Sequence, residues 1–129
     1  MNKIIVFGKR KAGMSREEFI DRYENGHAPF GAQYFDGLIT DFKRYYPLAL
    51  NRAALPGENP ADLPSIEPPY DVVTVYSLRD EAAVAEFGRI FADPEVQRSF
   101  IADELTLFER DATRHGFCEV WEGTGIHNG

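Results

Sequence analysis

The predicted elements follow one another along this chain in the order β-α-β-β-α-β. Three observations indicate that order. Short β-rich runs are bounded by turn residues, the helices begin at clear capping residues, and a proline-rich stretch separates the second strand from the third. This order predicts an α+β fold, an antiparallel sheet with the helices on one face, which is the ferredoxin-like split unit.

The first strand spans about residues 3–7, where the run KIIVF is apolar and rich in β-branched residues. The first helix begins at Ser15, which forms a capping-box pattern with Glu18. Pro29 disfavours helical geometry at the residue before it. We therefore expect this helix to stop or bend near His27, before a second short helical segment.

The later elements are predicted from side-chain alternation and from capping residues. A proline-rich loop at about residues 49–69 contains five of the eight prolines and shows no period. Long loops of this kind tend to be functional or mobile, so we expect it to be mobile or to contact a partner. The other elements are strands at about residues 38–48, 70–77 and 115–122, a helix from Asp80, and a helix from Asp93 to about Arg110.

Size and charge limit the classes of function. At 129 residues, the chain is expected to form a single domain spanning 1–129, too short for a separate cofactor domain. The net charge of −7 disfavours nucleic acid and anionic membranes as partners. We expect a cytoplasmic protein, because Met1 leads directly into a strand and the single cysteine, Cys118, has no internal disulfide partner.

His27 lies on the stripe of the first helix that should face the core. Counting from Ile20 at helical spacing gives Tyr23, His27 and then Phe30 or Tyr34. A lone histidine on such a stripe is more often a core residue that donates to a carbonyl group. Histidine is also the side chain most easily tuned to titrate near neutral pH, so His27 is a candidate for proton transfer.

The last predicted helix carries a carboxylate within an apolar stripe, since Asp103 lies between Phe100 and Leu107 at helical spacing. A buried carboxylate without a partner is costly, so Asp103 should contact His27, Tyr23 or an arginine. Contact with the histidine would orient the imidazole and raise its basicity. The alternative is that Asp103 only ties the two helices together or caps a loop.

Aromatic residues are plentiful enough to line a pocket for a flat apolar ligand, although more of them are expected in the core. Tyr23 and Tyr34 share the face of the histidine and are candidates to touch the ligand, Tyr23 as a catalytic residue, with Phe30 as a wall. Trp121 is a further candidate for the lining. Arg44 lies among apolar neighbours on a strand, where it could hold an anionic group or extend to the surface.

Several familiar sites are absent from the sequence. The histidines, His27, His115 and His127, do not combine with Cys118 at the spacing of a metal site. No glycine-rich phosphate loop and no nucleophile elbow occurs. We therefore expect no metal and no cofactor. A reaction here would be proton transfer on an activated small molecule, or oxygenation of an electron-rich phenol without a cofactor.

The strands offer apolar side chains to both faces of the sheet. Ile4 and Val6 point to one face, and Ile5 and Phe7 point to the other. An antiparallel sheet with helices on one side usually meets water on its other side. A second copy of the chain, packed back to back about a two-fold axis, is the simplest cover, so we expect a homodimer.

Three segments together resemble the EthD family of small ferredoxin-like proteins: KIIVFGKRKAGMS, EEFIDRYENGHAPF and DPEVQRSFIADELTLF. The resemblance covers most of the chain apart from residues about 49–69 and the tail after Glu122, and it implies a dimeric α/β barrel. The matching residues are Lys9, Arg10, Gly13, Met14, Ser15, Phe19, His27, Ala28 and Pro29, with Asp103, Glu104 and Phe108 in the later segment.

The resemblance also implies a part in the breakdown or synthesis of hydrophobic organic compounds, including dehydration or cyclisation of aromatic polyketide-like molecules. The leading hypothesis is a cofactor-independent lyase or isomerase in which His27 moves a proton and Asp103 orients it. One alternative is a cofactorless monooxygenase on the same fold. The other is a non-catalytic accessory protein that binds an apolar compound for a partner enzyme.

Overall fold

The computed structural model describes residues 2–123 as a four-stranded antiparallel sheet with helices. None of the helices in this part of the chain has the length and apolar character needed to cross a bilayer. The elements in chain order are β1 (Lys3–Gly8), α1 (Arg16–Arg22), a π-helical turn (Tyr23–His27), α2 (Ala28–Phe35), β2 (Ile39–Tyr45), β3 (Val72–Leu78), α3 (Glu81–Ala92), α4 (Pro94–Glu104) and β4 (Arg114–Phe117).

The strand order is β2-β3-β1-β4, and every neighbouring pair is antiparallel. This is the order of the ferredoxin-like fold, so the predicted fold class is confirmed. Val6 on β1 lies between Thr74 on β3 and His115 on β4, which places these three residues in one row. Because successive side chains on a strand point to opposite faces, this row forms part of the side that carries the helices.

The first helix begins where the sequence predicts. The Ser15 hydroxyl accepts a hydrogen bond from the Glu18 amide at 3.1 Å, and the Glu18 carboxylate accepts one from the Ser15 amide at 3.4 Å. The expected stop or bend near His27 takes the form of the π-helical turn Tyr23–His27, after which the helical backbone continues through Ala28 into the short α2. Pro29 lies near the start of α2, directly after this π-helical turn.

The last strand is shorter than predicted and ends at Phe117 rather than near residue 122. β4 pairs only with β1, and β1 begins at Lys3, so the Cys118 amide makes the final bond to the Lys3 carbonyl oxygen at 3.1 Å. Trp121 therefore lies beyond the sheet and is 88% exposed. Its indole N–H donates to Glu119, two residues earlier.

The last helix is also shorter than predicted, since α4 ends at Glu104 rather than near Arg110. Carbonyl groups in the last turn of a helix lack amide partners within the helix. Here the Thr106 hydroxyl donates a hydrogen bond to the Asp103 carbonyl oxygen at 2.6 Å. The chain then turns inward, and Phe108 is buried. The turn brings the residues that follow α4 against the sheet.

The proline-rich loop at residues 49–69 begins soon after β2, which ends at Tyr45 rather than near residue 48. Pro60–Asp62 forms a short 3₁₀ turn within it. The Ile66 amide donates to the Leu50 carbonyl oxygen at 2.7 Å and closes the loop. Most of its residues are exposed, as their composition predicts.

The core consists of two clusters of buried side chains. One includes Phe35 and Leu78 and lies between α2, α3 and the sheet. The other includes Phe19 and Leu107 and lies beneath α1. Phe42 packs against both clusters, so the two meet over the middle of the sheet.

The opposite face of the sheet is apolar but incompletely covered. Ile5 and Phe7 on β1 and Val73 and Val75 on β3 alternate with the buried residues of those strands and are half-buried. Tyr70 packs against Phe7 with ring centroids 5.2 Å apart. The sheet therefore has apolar side chains on both faces, as the strand sequences predict.

Replacing Leu78 with Ala should lower the free energy of unfolding by about 2–5 kcal/mol, because the leucine is fully buried and its neighbours can fill the space only in part. Leu55 in the proline-rich loop is 63% exposed, and its replacement by Ala should change stability by less than about 0.5 kcal/mol. Urea unfolding followed by circular dichroism measures both values. Similar losses for the two variants would contradict the placement of the core.

Candidate functional site

His27 and Asp103 form a direct hydrogen bond between the π-helical turn and α4. It joins the imidazole Nδ1 to the carboxylate Oδ2. The two side chains are only 13% and 11% exposed. A carboxylate that accepts from Nδ1 leaves Nε2 as the nitrogen available to a ligand. This is the contact with the histidine that the apolar stripes of the two helices predict.

The second oxygen of the Asp103 carboxylate is held by Arg22. Arg22 Nη2 donates to Asp103 Oδ1 at 3.4 Å, and its Nε donates to the Thr106 hydroxyl at 3.1 Å. The guanidinium lies directly over Gly26, where a Cβ atom would overlap it. Because Gly26 has no side chain, the Arg22 guanidinium has room to lie there. Arg22 can therefore hold the Asp103 carboxylate, which orients His27.

Aromatic rings surround the imidazole on several sides. Tyr23, Phe108 and Phe100 each meet it edge to face, with ring centroids 4.9 Å, 5.5 Å and 6.5 Å from the centre of the His27 ring. These contacts fix the plane of the ring and exclude water from its faces. The histidine is therefore held by packing as well as by its carboxylate.

Tyr23 is buried, and its hydroxyl shares a 2.6 Å hydrogen bond with the Thr74 hydroxyl. Burial raises the pKa of Tyr23 to about 12, so the phenol stays protonated at neutral pH. A neutral, bonded hydroxyl of this kind is poorly suited to act as a base. Tyr23 lies beside His27 and borders the cavity described below, with its hydroxyl bonded to Thr74 on the sheet. Its predicted catalytic role stays a prediction.

Arg44 pairs with Glu24 and is not among the residues that line the cavity described below. Its Nε donates to a Glu24 carboxylate oxygen at 3.0 Å, and the Tyr46 hydroxyl donates to the same carboxylate. The Arg44 hydrogen bonds hold the pKa of Glu24 below its usual range. Arg44 therefore anchors the π-helical turn to β2, and the structure places it outside the cavity, although the strand pattern made it a candidate to hold an anionic group.

A cavity of about 600 Å³ lies between the sheet and the helices. His27, Tyr23 and Phe108 border it, and Val6 and Thr74 form part of its floor. Its volume falls in the range of ligand pockets, about 300–1,000 Å³. Four phenylalanine rings from the helices also line it: Phe35, Phe87, Phe91 and Phe100. The lining of the cavity is therefore largely apolar and aromatic.

Phe30 and Tyr34 do not line this cavity, contrary to the prediction. They pack against Phe100, with ring centroids 5.0 Å and 5.1 Å from it. Gly31 and Phe35, one residue further along α2, take the lining positions. Helical spacing permits a step of three or four residues from His27, and the helix after the π-helical turn uses four.

Trp121 also stays outside the cavity, because β4 ends before the alternation reaches it. His115 and Phe117, which share one face of β4, line the cavity instead. Glu104 and Arg110 line it as well, and sequence reasoning assigned neither of them to a site. Alternation along the last strand could have identified His115 as a lining residue. Arg110, in contrast, lines the cavity only because α4 ends before it.

Within residues 2–123, no group of three His, Cys, Asp or Glu side chains is arranged to hold a metal ion. His127, which the sequence analysis considered for such a site, lies outside the described residues.

Fold and cavity together define a small ferredoxin-like protein with a largely aromatic cavity between the sheet and the helices. The model of the EthD domain matches residues 11–111, and the chain belongs to this family, as its motifs predict. A hypothetical protein of Arabidopsis thaliana, known from a solution structure, is 13% identical with a TM-score of 0.49. The match covers 95% of this chain and 90% of that one. Among curated proteins, none matches.

Replacing Gly26 with Ala should displace Arg22 from Asp103, because the added methyl group occupies the path of the guanidinium. Replacing Arg22 with Gln removes the same contact. Both variants should fold and should shift the ring nitrogen signals of His27 in the same direction in long-range ¹⁵N–¹H spectra. Arg98→Gln is the control, since Arg98 pairs with Glu95 at the other end of α4. Unchanged His27 signals in both variants would show that Arg22 has no positioning role.

Replacing Arg44 with Met should lower the free energy of unfolding by about 1–2 kcal/mol at neutral pH, since the half-buried Glu24 loses its main partner. The folded-state pKa of Glu24 lies below its unfolded value. The contribution of the Glu24 carboxylate to the free energy of unfolding is therefore complete above the unfolded pKa, about 4.3. It is lost as the pH falls through the folded-state pKa.

The difference in stability between wild type and the Arg44→Met variant should therefore shrink in acid, as urea unfolding across pH measures. Arg89→Met removes an exposed partner of Glu86 on α3 and should have a much smaller effect. A difference for Arg44→Met that is independent of pH would contradict the assignment of the pair.

Proposed function

We propose that the protein is a cofactor-independent lyase or isomerase that acts on a small hydrophobic aromatic compound. The observation that carries this proposal is the pairing of His27 with Asp103 at the wall of an aromatic cavity. General acid–base catalysis requires a titratable group held at a fixed position beside its substrate. His27 meets this requirement, because the carboxylate and three aromatic rings fix the imidazole.

The proposed step is proton transfer at a carbon next to a ketone. Nε2 of His27 takes the proton, the electron pair of the broken C–H bond moves into an enolate, and Asp103 stabilises the imidazolium. The imidazolium then returns the proton. In a β,γ-unsaturated ketone the enolate is conjugated, and delivery of the proton to the γ-carbon moves the double bond and isomerises the compound. In a β-hydroxy ketone the enolate electron pair forms a new C=C bond as the β C–O bond breaks, and the imidazolium protonates the departing hydroxyl group to water.

2-Tetralone, a two-ring ketone with exchangeable hydrogens beside its carbonyl, tests this proposal. In deuterated water the protein should accelerate exchange of these hydrogens, followed by NMR, beyond an equal concentration of imidazole. Replacing His27 with Asn should slow the exchange by a factor of about 10² to 10⁴. Tyr34→Phe is the matched control, because Tyr34 lies outside the cavity and its ring remains.

Binding of 2-tetralone without faster exchange would contradict catalysis and would favour the accessory role. Failure of the cavity to bind this compound would contradict the ligand class. Oxygen uptake with anthrone, in place of exchange, would favour the cofactorless monooxygenase.

We also propose that the protein is a homodimer formed through the uncovered face of the sheet. Apolar side chains on this face, including Ile5 and Val75, are incompletely buried in one copy, and burial of apolar surface contributes about 25 cal/mol per Å². Light scattering should give the mass of a dimer at micromolar concentration. Val75→Lys should give a monomer, whereas Ala85→Lys on the exposed face of α3 should not. A monomer mass for the unchanged protein would contradict the proposal.

A further inference from the structure

Tyr76 lies on β3 with its ring packed among other aromatic side chains. It is only 9% exposed, and its ring stacks on Phe35 with centroids 5.3 Å apart. Phe87 and Phe42 also contact the ring, with centroids at 5.8 Å and 5.9 Å. These contacts fix the ring and therefore the position of its hydroxyl group. The proton transfer proposed for His27 makes no use of this residue.

The hydroxyl group of Tyr76 has no hydrogen-bond partner within residues 2–123. Leaving a buried hydroxyl group without a partner costs free energy, so such groups are usually bonded. No side-chain oxygen in this part of the chain is both fully enclosed and unpartnered. The hydroxyl must therefore reach accessible space, and the cavity is the space that Tyr76 borders. It is available to an occupant of the cavity.

The Tyr76 hydroxyl keeps its proton at neutral pH. Burial raises the pKa of Tyr76 well above its usual value, and the nearby Tyr23 and Glu104 raise it further. A protonated phenol donates a hydrogen bond to a carbonyl oxygen, and among apolar neighbours this bond is stronger than in water. The hydroxyl of Tyr23, in contrast, is already bonded to Thr74. Of these two buried phenols, Tyr76 is the one whose hydroxyl is unoccupied by the described chain.

The register of β3 relates Tyr76 to His27. Tyr76 lies two residues after Thr74, so the two side chains point to the same face of the sheet, about 7 Å apart along the strand. The Thr74 hydroxyl is bonded to Tyr23, whose ring lies against His27 at 4.9 Å. The imidazole and the Tyr76 phenol thus border one cavity from neighbouring positions.

We propose that Tyr76 is a further catalytic residue, the donor that binds the carbonyl oxygen of the substrate while His27 removes the adjacent proton. The proposal rests on the proton-transfer function above and adds the group that stabilises the enolate. As Nε2 takes the proton, the electron pair of the C–H bond forms the C=C bond and the carbonyl π pair moves to oxygen. The Tyr76 O–H donates to this oxygen without losing its proton, and the hydrogen bond strengthens as negative charge develops.

Replacing Tyr76 with Phe removes the hydroxyl group and keeps the ring. Hydrogen exchange of 2-tetralone should slow by a factor of about 10². The carbonyl ¹³C signal of bound 2-tetralone should move upfield from its position in the wild type, because a hydrogen bond to the oxygen deshields this carbon. The ratio of the affinities for 2-tetralone and for tetralin, which lacks the carbonyl group, should fall about tenfold.

Tyr34→Phe is the matched control and should leave all three values unchanged, since Tyr34 lies outside the cavity. Tyr76→Phe should not lower the midpoint of urea unfolding, because the deleted hydroxyl has no partner. Tyr23→Phe should lower it, because the Thr74 hydroxyl then loses its partner. A clear fall for Tyr76→Phe would show that its hydroxyl is bonded within the protein and would overturn the proposal.

The carbonyl signal and the affinity ratio test Tyr76 separately from the proton transfer. If neither changes in Tyr76→Phe, Tyr76 does not bind the carbonyl group and the proposal is overturned. Exchange that His27→Asn slows and Tyr76→Phe does not would also overturn it, and would leave the proton transfer by His27 intact. If both binding values change although the wild type does not accelerate exchange, the proposed catalysis fails, and Tyr76 is supported only as a carbonyl-binding residue.

Discussion

The hydrogen bond between His27 and Asp103 is the interaction on which the rest of the site depends. It joins the π-helical turn to α4 across the end of the cavity. An almost buried carboxylate is costly unless it is paired, and the imidazole and the guanidinium of Arg22 share that compensation. Gly26 has no side chain, which leaves room for the guanidinium of Arg22. On the other side of the turn, Glu24 anchors the same segment to the sheet.

The cavity follows from the way the helices cover the sheet. α2 and α3 pack over the middle strands, while the edge strand β4 and the end of α4 leave a space between them. Aromatic rings from the helices line this space, and the polar side chains of His115, Glu104 and Arg110 line it as well.

Much of this arrangement could be predicted because it depends on local patterns. Capping residues and alternation gave the order of the elements, and the cost of a buried carboxylate predicted the contact of Asp103 with His27. The choice of Gly31 and Phe35 over Phe30 and Tyr34 depends on the π-helical turn, which shifts the register of α2. The end of α4 depends on its neighbours in the fold, so the place of Arg110 in the cavity lining was not predictable from spacing alone.

A double-mutant cycle on the exchange rate of 2-tetralone tests the central claim, that His27 moves the proton and Asp103 acts only through it. The rates are measured for wild type, His27→Asn, Asp103→Asn and the double variant. The account predicts that Asp103→Asn slows exchange in the presence of His27 and has no further effect once His27 is replaced. Losses that multiply independently in the double variant would contradict the account, because Asp103 would then act on the reaction without the imidazole.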